Sequence, residues 1–134
     1  MNQIVFYGPH LIIDGGGCRV DNLDDVSFVY KYLDSVPDLI DMQKISPPFV
    51  ISYKGDPDPT EWGVTGFVLI ATSHVSVHTY PAKHFVFVDL FSCKSFDIGA
   101  ALEFTKKYFN IQQASHEVVY RGEQFPKVSG GNNA

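Results

Sequence analysis

The sequence is poor in cysteine and in basic charge, and each shortage excludes a class of protein. Its two cysteines, Cys18 and Cys93, are too few for a disulfide-stapled scaffold and are expected as free thiols. Lys and Arg number 10 against 15 Asp and Glu, a net charge of −5, which argues against the clustered cations of a nucleic-acid groove. The same balance leans slightly toward a cationic small substrate. No apolar run reaches the ~20 residues that a membrane-spanning helix needs. Met1-Asn2-Gln3 lacks the basic start and apolar stretch of a signal peptide. A cytoplasmic protein with no membrane and no nucleic-acid partner is therefore expected. Gly-x-Ser-x-Gly, the usual signature of a sharply turned serine nucleophile, is also missing.

What is present is enough apolar material for one folded domain. Hydrophobic residues make up 45% of 134 positions and charged residues 19%, a globular rather than disordered balance. His10 to Asp14 reads as a buried strand closed by glycines. Asn22 offers a helix N-cap with Asp24 and Asp25 in the first turn; Val26, Val29, Tyr30 and Leu33 follow at helical spacing, and Pro37 is expected to stop the helix. Strands are expected at Phe49–Tyr53, Gly66–Ile70, Val75–Tyr80 and Phe85–Ser92, with a loop from Gly55 to Gly63. Asp97 caps a second helix through Tyr108, and Glu117–Tyr120 completes the set. Residues 124–134, rich in Gly, Asn and Pro, read as a flexible tail behind a domain at 1–123.

His10, Asp14, Cys18 and Asn22 are echoed by His84, Asp89, Cys93 and Asp97; Asp, Cys and the cap recur at one offset, while the histidine is off by one. Two strand–helix units imply an α+β, two-layer sandwich: an antiparallel sheet, internally duplicated, with its helices on one face.

Chemistry concentrates between Ala71 and Pro81, where Thr72, Ser73, His74, Ser76, His78 and Thr79 interrupt apolar strands. Strand alternation puts His74, Ser76 and His78 on one side. A hairpin with the next strand would bring Cys93 toward Ser73. A polar face turned to water, a metal site from His74, His78, His84 and Cys93, and a Ser–His hydrolase all compete for this segment. On a strand, His74 and His78 lie too far apart for easy shared ligation, so no metal is expected. The hydrolase lacks its turn motif.

The residues also carry a resemblance. Gly8-Pro9-His10-Leu11-Ile12-Ile13-Asp14 through Cys18, then Gly63-Val64-Thr65-Gly66, then Ser73-His74-Val75-Ser76-Val77-His78-Thr79-Tyr80-Pro81, then Val88-Asp89-Leu90-Phe91-Ser92-Cys93 are similar, in order, to the short prokaryotic S-adenosylmethionine decarboxylases. The resemblance implies a pyruvoyl-dependent decarboxylase that serves polyamine (spermidine) synthesis. It would cleave itself after Thr72 into a β chain, 1–72, and an α chain, 73–134, with Ser73 becoming the pyruvoyl cofactor. Ser73 would attack the Thr72 carbonyl, His78 would take the proton that drives elimination, and Thr65, where the family has Ser, would assist. The ketone would form a Schiff base with an amino-acid-type small substrate and draw off its electrons. Cys93 would return a proton to the product carbon; a thiol, with a reference pKa of ~8.5, carries one at neutral pH. A homodimer with sites near its interface is implied as well.

Besides Thr65, the family pattern is broken in three places. Thr72 stands where Glu is usual. Ala82 replaces the Glu that hydrogen-bonds the substrate ribose. The adenine-stacking Phe has no match, which leaves Tyr53 or Trp62 for that role. Arginine or ornithine decarboxylation on the same fold, or a non-processing paralogue with a binding or regulatory role, are the alternatives. Ser73, His78 and Cys93 together weigh against the paralogue. Cys18 is expected to be a small buried residue without a catalytic task.

Overall fold

The computed structural model describes residues 6–55 and 57–126, so most of the expected tail, 127–134, lies outside the described residues. Period-two burial along the strands separates two faces. In β1 (Gly8–Gly16), Leu11 and Ile13 are fully buried while His10, Ile12 and Asp14 are partly exposed. The same alternation runs through β3 (Gly63–Ile70), β4 (Ser73–Tyr80) and β5 (Phe85–Phe91), while the mostly exposed β2 (Phe49–Tyr53) and β6 (Gln113–Arg121) form the two edges. All six pair antiparallel in the order β2-β3-β4-β5-β1-β6.

Helix α1 (Val20–Leu23) is a single turn; α2 (Val26–Leu39) crosses β2, β3 and β4, and α3 (Ile98–Tyr108) lies over β1. Val29, Tyr32, Leu33 and Val36 of α2 and Ala101 of α3 are sealed against Val64, Val68, Val75, Val77, Val88 and Leu90 of the sheet. At the centre of that layer the Tyr32 hydroxyl lies 2.7 Å from Thr105 Oγ1, which itself donates to the Ala101 carbonyl. The expected two-layer α+β sandwich is what forms.

Helix boundaries differ from the sequence reading, for local reasons. Asn22 lies inside α1, and the cap of α2 is Asp25, whose carboxylate accepts from the N–H groups of Ser27 and Phe28. Pro37 does not stop α2: it forgoes one hydrogen bond in the last turn, and its ring is buried. The helix ends instead at Asp41, left-handed at φ 57, where Asp41 N–H bonds to Asp38 O and Met42 N–H to Pro37 O. Helix α3 ends the same way at Asn110, φ 53, through Asn110 N–H to Lys107 O and Ile111 N–H to Lys106 O. Asp97 caps α3 as expected, accepting from Ala100 N–H. Strand β6 is longer than Glu117–Tyr120 because its full length pairs with β1.

Gly8 fixes one end of the sheet. A Cβ there would fall 1.8 Å from the Ser92 carbonyl oxygen, so only glycine lets β1 press against Ser92-Cys93, where Ser92 N–H bonds to Pro9 O.

The caps make distinct predictions. Asp25→Ala should lower unfolding free energy by about 1 kcal/mol, because two N–H groups lose their acceptor. Asn22→Ala should change it by less than about 0.5 kcal/mol. Urea titration of both variants measures the difference.

Candidate active site

Three polar groups sit on or beside the sheet, all placed by the register of β4 with its neighbours. The first is the hairpin turn. Ile70 pairs with Ser73, leaving Ala71-Thr72 as a two-residue turn, and Thr72 takes a left-handed φ of 56. Ser73 shares the parity of Val75 and Val77, is 7% exposed, and its hydroxyl has no hydrogen-bond partner. An unpartnered buried hydroxyl costs about 1–3 kcal/mol, and a β-branched residue held left-handed costs a similar amount, so this dipeptide is locally unfavourable. His74 pairs with Phe91, which brings Cys93 level with the turn, and Cys93 Sγ lies 3.4 Å from the Ala71 carbonyl oxygen. The expected approach of Cys93 to the Ser73 turn is therefore present. Clefts of about 400 and 440 Å³ flank the turn; Thr72 and Ser73 line one, Ala71 and Cys93 the other.

The second group occupies the middle of the helix-free face. His10 of β1, His74 and Ser76 of β4 and Asp89 of β5 converge there. His10 Nε2 is 2.7 Å from Asp89 Oδ2, His74 Nε2 is 3.6 Å from the same oxygen, and Ser76 Oγ donates to Asp89 Oδ1. Arg121 donates to His10 Nδ1 at 3.2 Å, which leaves Nε2 as the nitrogen that carries the proton toward Asp89; the guanidinium also stacks 4.3 Å above Phe91. Burial alone would raise the Asp89 pKa. The hydrogen bonds from Ser76 and His10 outweigh it and hold the carboxyl below its ordinary range. Donor atoms of His10, His74 and Asp89 lie within 4.8 Å of one another and could grip a metal ion, although Arg121 sets a fixed cation beside them. The sequence reading had grouped His74 with His78, His84 and Cys93 instead. His84 is at the β4–β5 connection, bonded to the Cys18 carbonyl, and Cys93 is at the opposite end of β5. The missed signal was the alternation of polar residues on three neighbouring strands, unreadable before the β1–β5 pairing was known.

The third group is Thr65 and His78, directly paired across β3 and β4, with Thr65 Oγ1 2.8 Å from His78 Nδ1. That contact orients the ring and leaves Nε2 outward. His78 lies five steps beyond Ser73 along β4, roughly 16 Å at the rise of a strand, and the two point to opposite faces. A single chain thus brings Ser73 to Cys93 and Thr65 to His78, but not His78 to Ser73. Tyr53, on the edge strand opposite Gly63, and Trp62, under the Lys54 ammonium at 4.4 Å, lie at the His78 end. Cys18 is buried, its thiol pushed up to about 11 by desolvation, in line with a packing role.

Fold and site together define a class: a two-layer α+β protein with a buried, unpartnered serine hydroxyl at the β3–β4 turn. Residues 9–122 match the S-adenosylmethionine decarboxylase family, and the chain belongs to that family. It is 28% identical over 119 residues to an S-adenosylmethionine decarboxylase proenzyme of Clostridium botulinum, covering 88% of this chain and 97% of that one. It is 36% identical over 87 residues to S-adenosylmethionine decarboxylase proenzyme 2 of Bacillus cereus, covering 65% of each. The crystal structure of the adenosylmethionine decarboxylase from Aquifex aeolicus superposes with a TM-score of 0.74 at 25% identity, covering 96% of this chain and 98% of that chain.

Asp89 supplies a pH prediction. Its folded pKa is depressed, so its contribution to stability is complete above the unfolded carboxylate value of ~3.9 and is lost as pH falls through the lower folded value. Asp89→Asn should cost about 1.5–3 kcal/mol at pH 7 and markedly less at pH 3, read from urea midpoints at the two pH values.

Proposed function

We propose that this chain is a proenzyme that cuts itself between Thr72 and Ser73, converts Ser73 to a pyruvoyl group and decarboxylates S-adenosylmethionine for polyamine (spermidine) synthesis. The buried, unpartnered Ser73 hydroxyl beside the Thr72 carbonyl carries this reading, in a chain matched to the family over nearly its whole length. A hydroxyl with no competing hydrogen bond is free to attack, and its burial excludes water from the ester that results. Elimination then needs a base at the Ser73 α-proton. The ketone formed there supplies the electron sink for decarboxylation. In this reading Cys93 returns a proton to the product carbon, a role supported by its contact with the Ala71 carbonyl at the same turn. The two free thiols suit a cytoplasmic setting, and no helix among the described residues is long and apolar enough to cross a membrane.

The base is His78, with Thr65 orienting it, and in this reading it serves Ser73 of a second copy. The distance along β4 favours that assignment, and so does the helix-free face, which exposes Phe49, Ile51, Tyr53, Phe67, Leu69 and Phe87 at 41–57%. Such a face calls for a cover. A second sheet laid across it in a homodimer would supply one, and each His78 would move toward the partner's turn. Tyr53 and Trp62 would accompany His78 and offer aromatic surface to the adenine, while Ala82 leaves the ribose without the family carboxylate.

Wild-type protein should release CO2 from carboxyl-labelled S-adenosylmethionine. Release from arginine or ornithine alone would replace the substrate and keep the chemistry. Cys93→Ala should still cleave but turn over on the order of 10²–10⁴ more slowly. For the shared site, neither Ser73→Ala nor His78→Ala should cleave when purified alone. Coexpressed, the His78→Ala chains should be cut by His78 of their Ser73→Ala partners. No cutting in the mixture would return the base to the same chain or to another residue.

A further inference from the structure

Among the described residues, four that are not glycine adopt left-handed backbone: Asp41, Thr72, His84 and Asn110. Asp, His and Asn tolerate that region, whereas a β-branched residue enters it only under constraint. Thr72 is the second residue of the Ala71-Thr72 turn, and its hydroxyl is 3.0 Å from the hydroxyl of Tyr7. Tyr7 is itself anchored. Its N–H bonds to Arg121 O at 2.7 Å, its ring packs against Phe125 at 4.6 Å and Phe91 at 6.0 Å, and Gly122, at φ 85, is close enough that an added Cβ would meet the Tyr7 Cβ at 2.3 Å. A strut thus runs from the β1–β6 end of the sheet to the residue whose carbonyl lies next to the buried Ser73 hydroxyl.

We infer that Tyr7 is a positioning residue for self-cleavage, holding Thr72 in the left-handed conformation that the attack of Ser73 relaxes. The inference rests on the proposed cleavage between Thr72 and Ser73. In that step the Ser73 oxygen bonds to the Thr72 carbonyl carbon, the Thr72–Ser73 C–N bond breaks, and the hydroxyl proton ends on the freed Ser73 amine. Nothing is added or lost. The chain path from the Thr72 carbonyl carbon to the Ser73 Cα now runs through Oγ and Cβ rather than through nitrogen, one atom longer, and the planar amide is gone. A two-residue turn that was too tight for threonine becomes looser in the ester. The Tyr7 hydroxyl keeps the precursor from easing the turn beforehand.

The test follows freshly made precursor on denaturing gels alongside thermal unfolding of uncleavable chains that also carry Ser73→Ala. Tyr7→Phe should cleave about fivefold more slowly, the effect of one hydrogen bond, with little change in the unfolding midpoint. Thr72→Val, which keeps the branch and loses the hydroxyl, should match it. Thr72→Gly should raise the midpoint of the uncleavable chain and still slow cleavage, because glycine has no conformational penalty to release. A merely structural residue would not move stability and cleavage in opposite senses. Hydroxylamine, which cuts esters, should not restore the Tyr7→Phe rate, since the missing step precedes the ester. Wild-type cleavage rates in Tyr7→Phe, or cleavage of Thr72→Gly as fast as wild type, would overturn the role of Tyr7. Absence of cleavage in the wild type would overturn the proposed function with it.

Discussion

The pairing of β4 with a neighbour on each side is the constraint on which the rest depends. Register with β3 closes the hairpin in two residues and turns Ser73 inward; register with β5 sets Cys93 beside the same turn and Asp89 beside Ser76. A one-residue slip would reverse both faces, exposing Val75 and Val77 and burying His74 and His78. The core residues that resist such a slip, Val64, Val68, Val75, Val77, Val88 and Leu90, are the same ones that receive α2 and α3. Packing energy on one side of the sheet thus fixes chemical geometry on the other.

That coupling divides the reactive groups. Side chains of even number on β4 face away from the helices, and the strand separates its two ends by more than a side chain can span. The turn that holds Ser73 and Cys93 and the Thr65–His78 pair consequently lie at opposite ends of β4 in one chain. Between them the His10–Asp89–Ser76–Arg121 network sits amid exposed aromatic surface. A network of that kind becomes more consequential if covered, since charges removed from water depend fully on their partners.

Much of this was legible in the sequence because strands announce themselves by alternation. The strands from Phe49 onward, the cap at Asp97 and the grouping of His74, Ser76 and His78 follow from local patterns alone. Asn22 misled because α1 uses it in mid-helix while Asp25, three residues on, makes the cap bonds. Pro37 misled because a proline in a final turn loses only one bond. The helix ends at Asp41 and Asn110 gave no glycine signal, and the left-handed Thr72 gave none at all. Pairing of His10 with Asp89 depended on β1 lying beside β5, a contact between residues 79 apart. Position along one strand could place His78 on the face of His74, but only the built sheet separates it from Ser73.

Intact mass of the purified protein tests the central claim most directly. The account predicts two chains: one ending at Thr72 with its normal carboxylate, and one beginning at position 73 and lighter than its serine-initiated sequence by one ammonia. A single chain of full-length mass after prolonged incubation at neutral pH would contradict it.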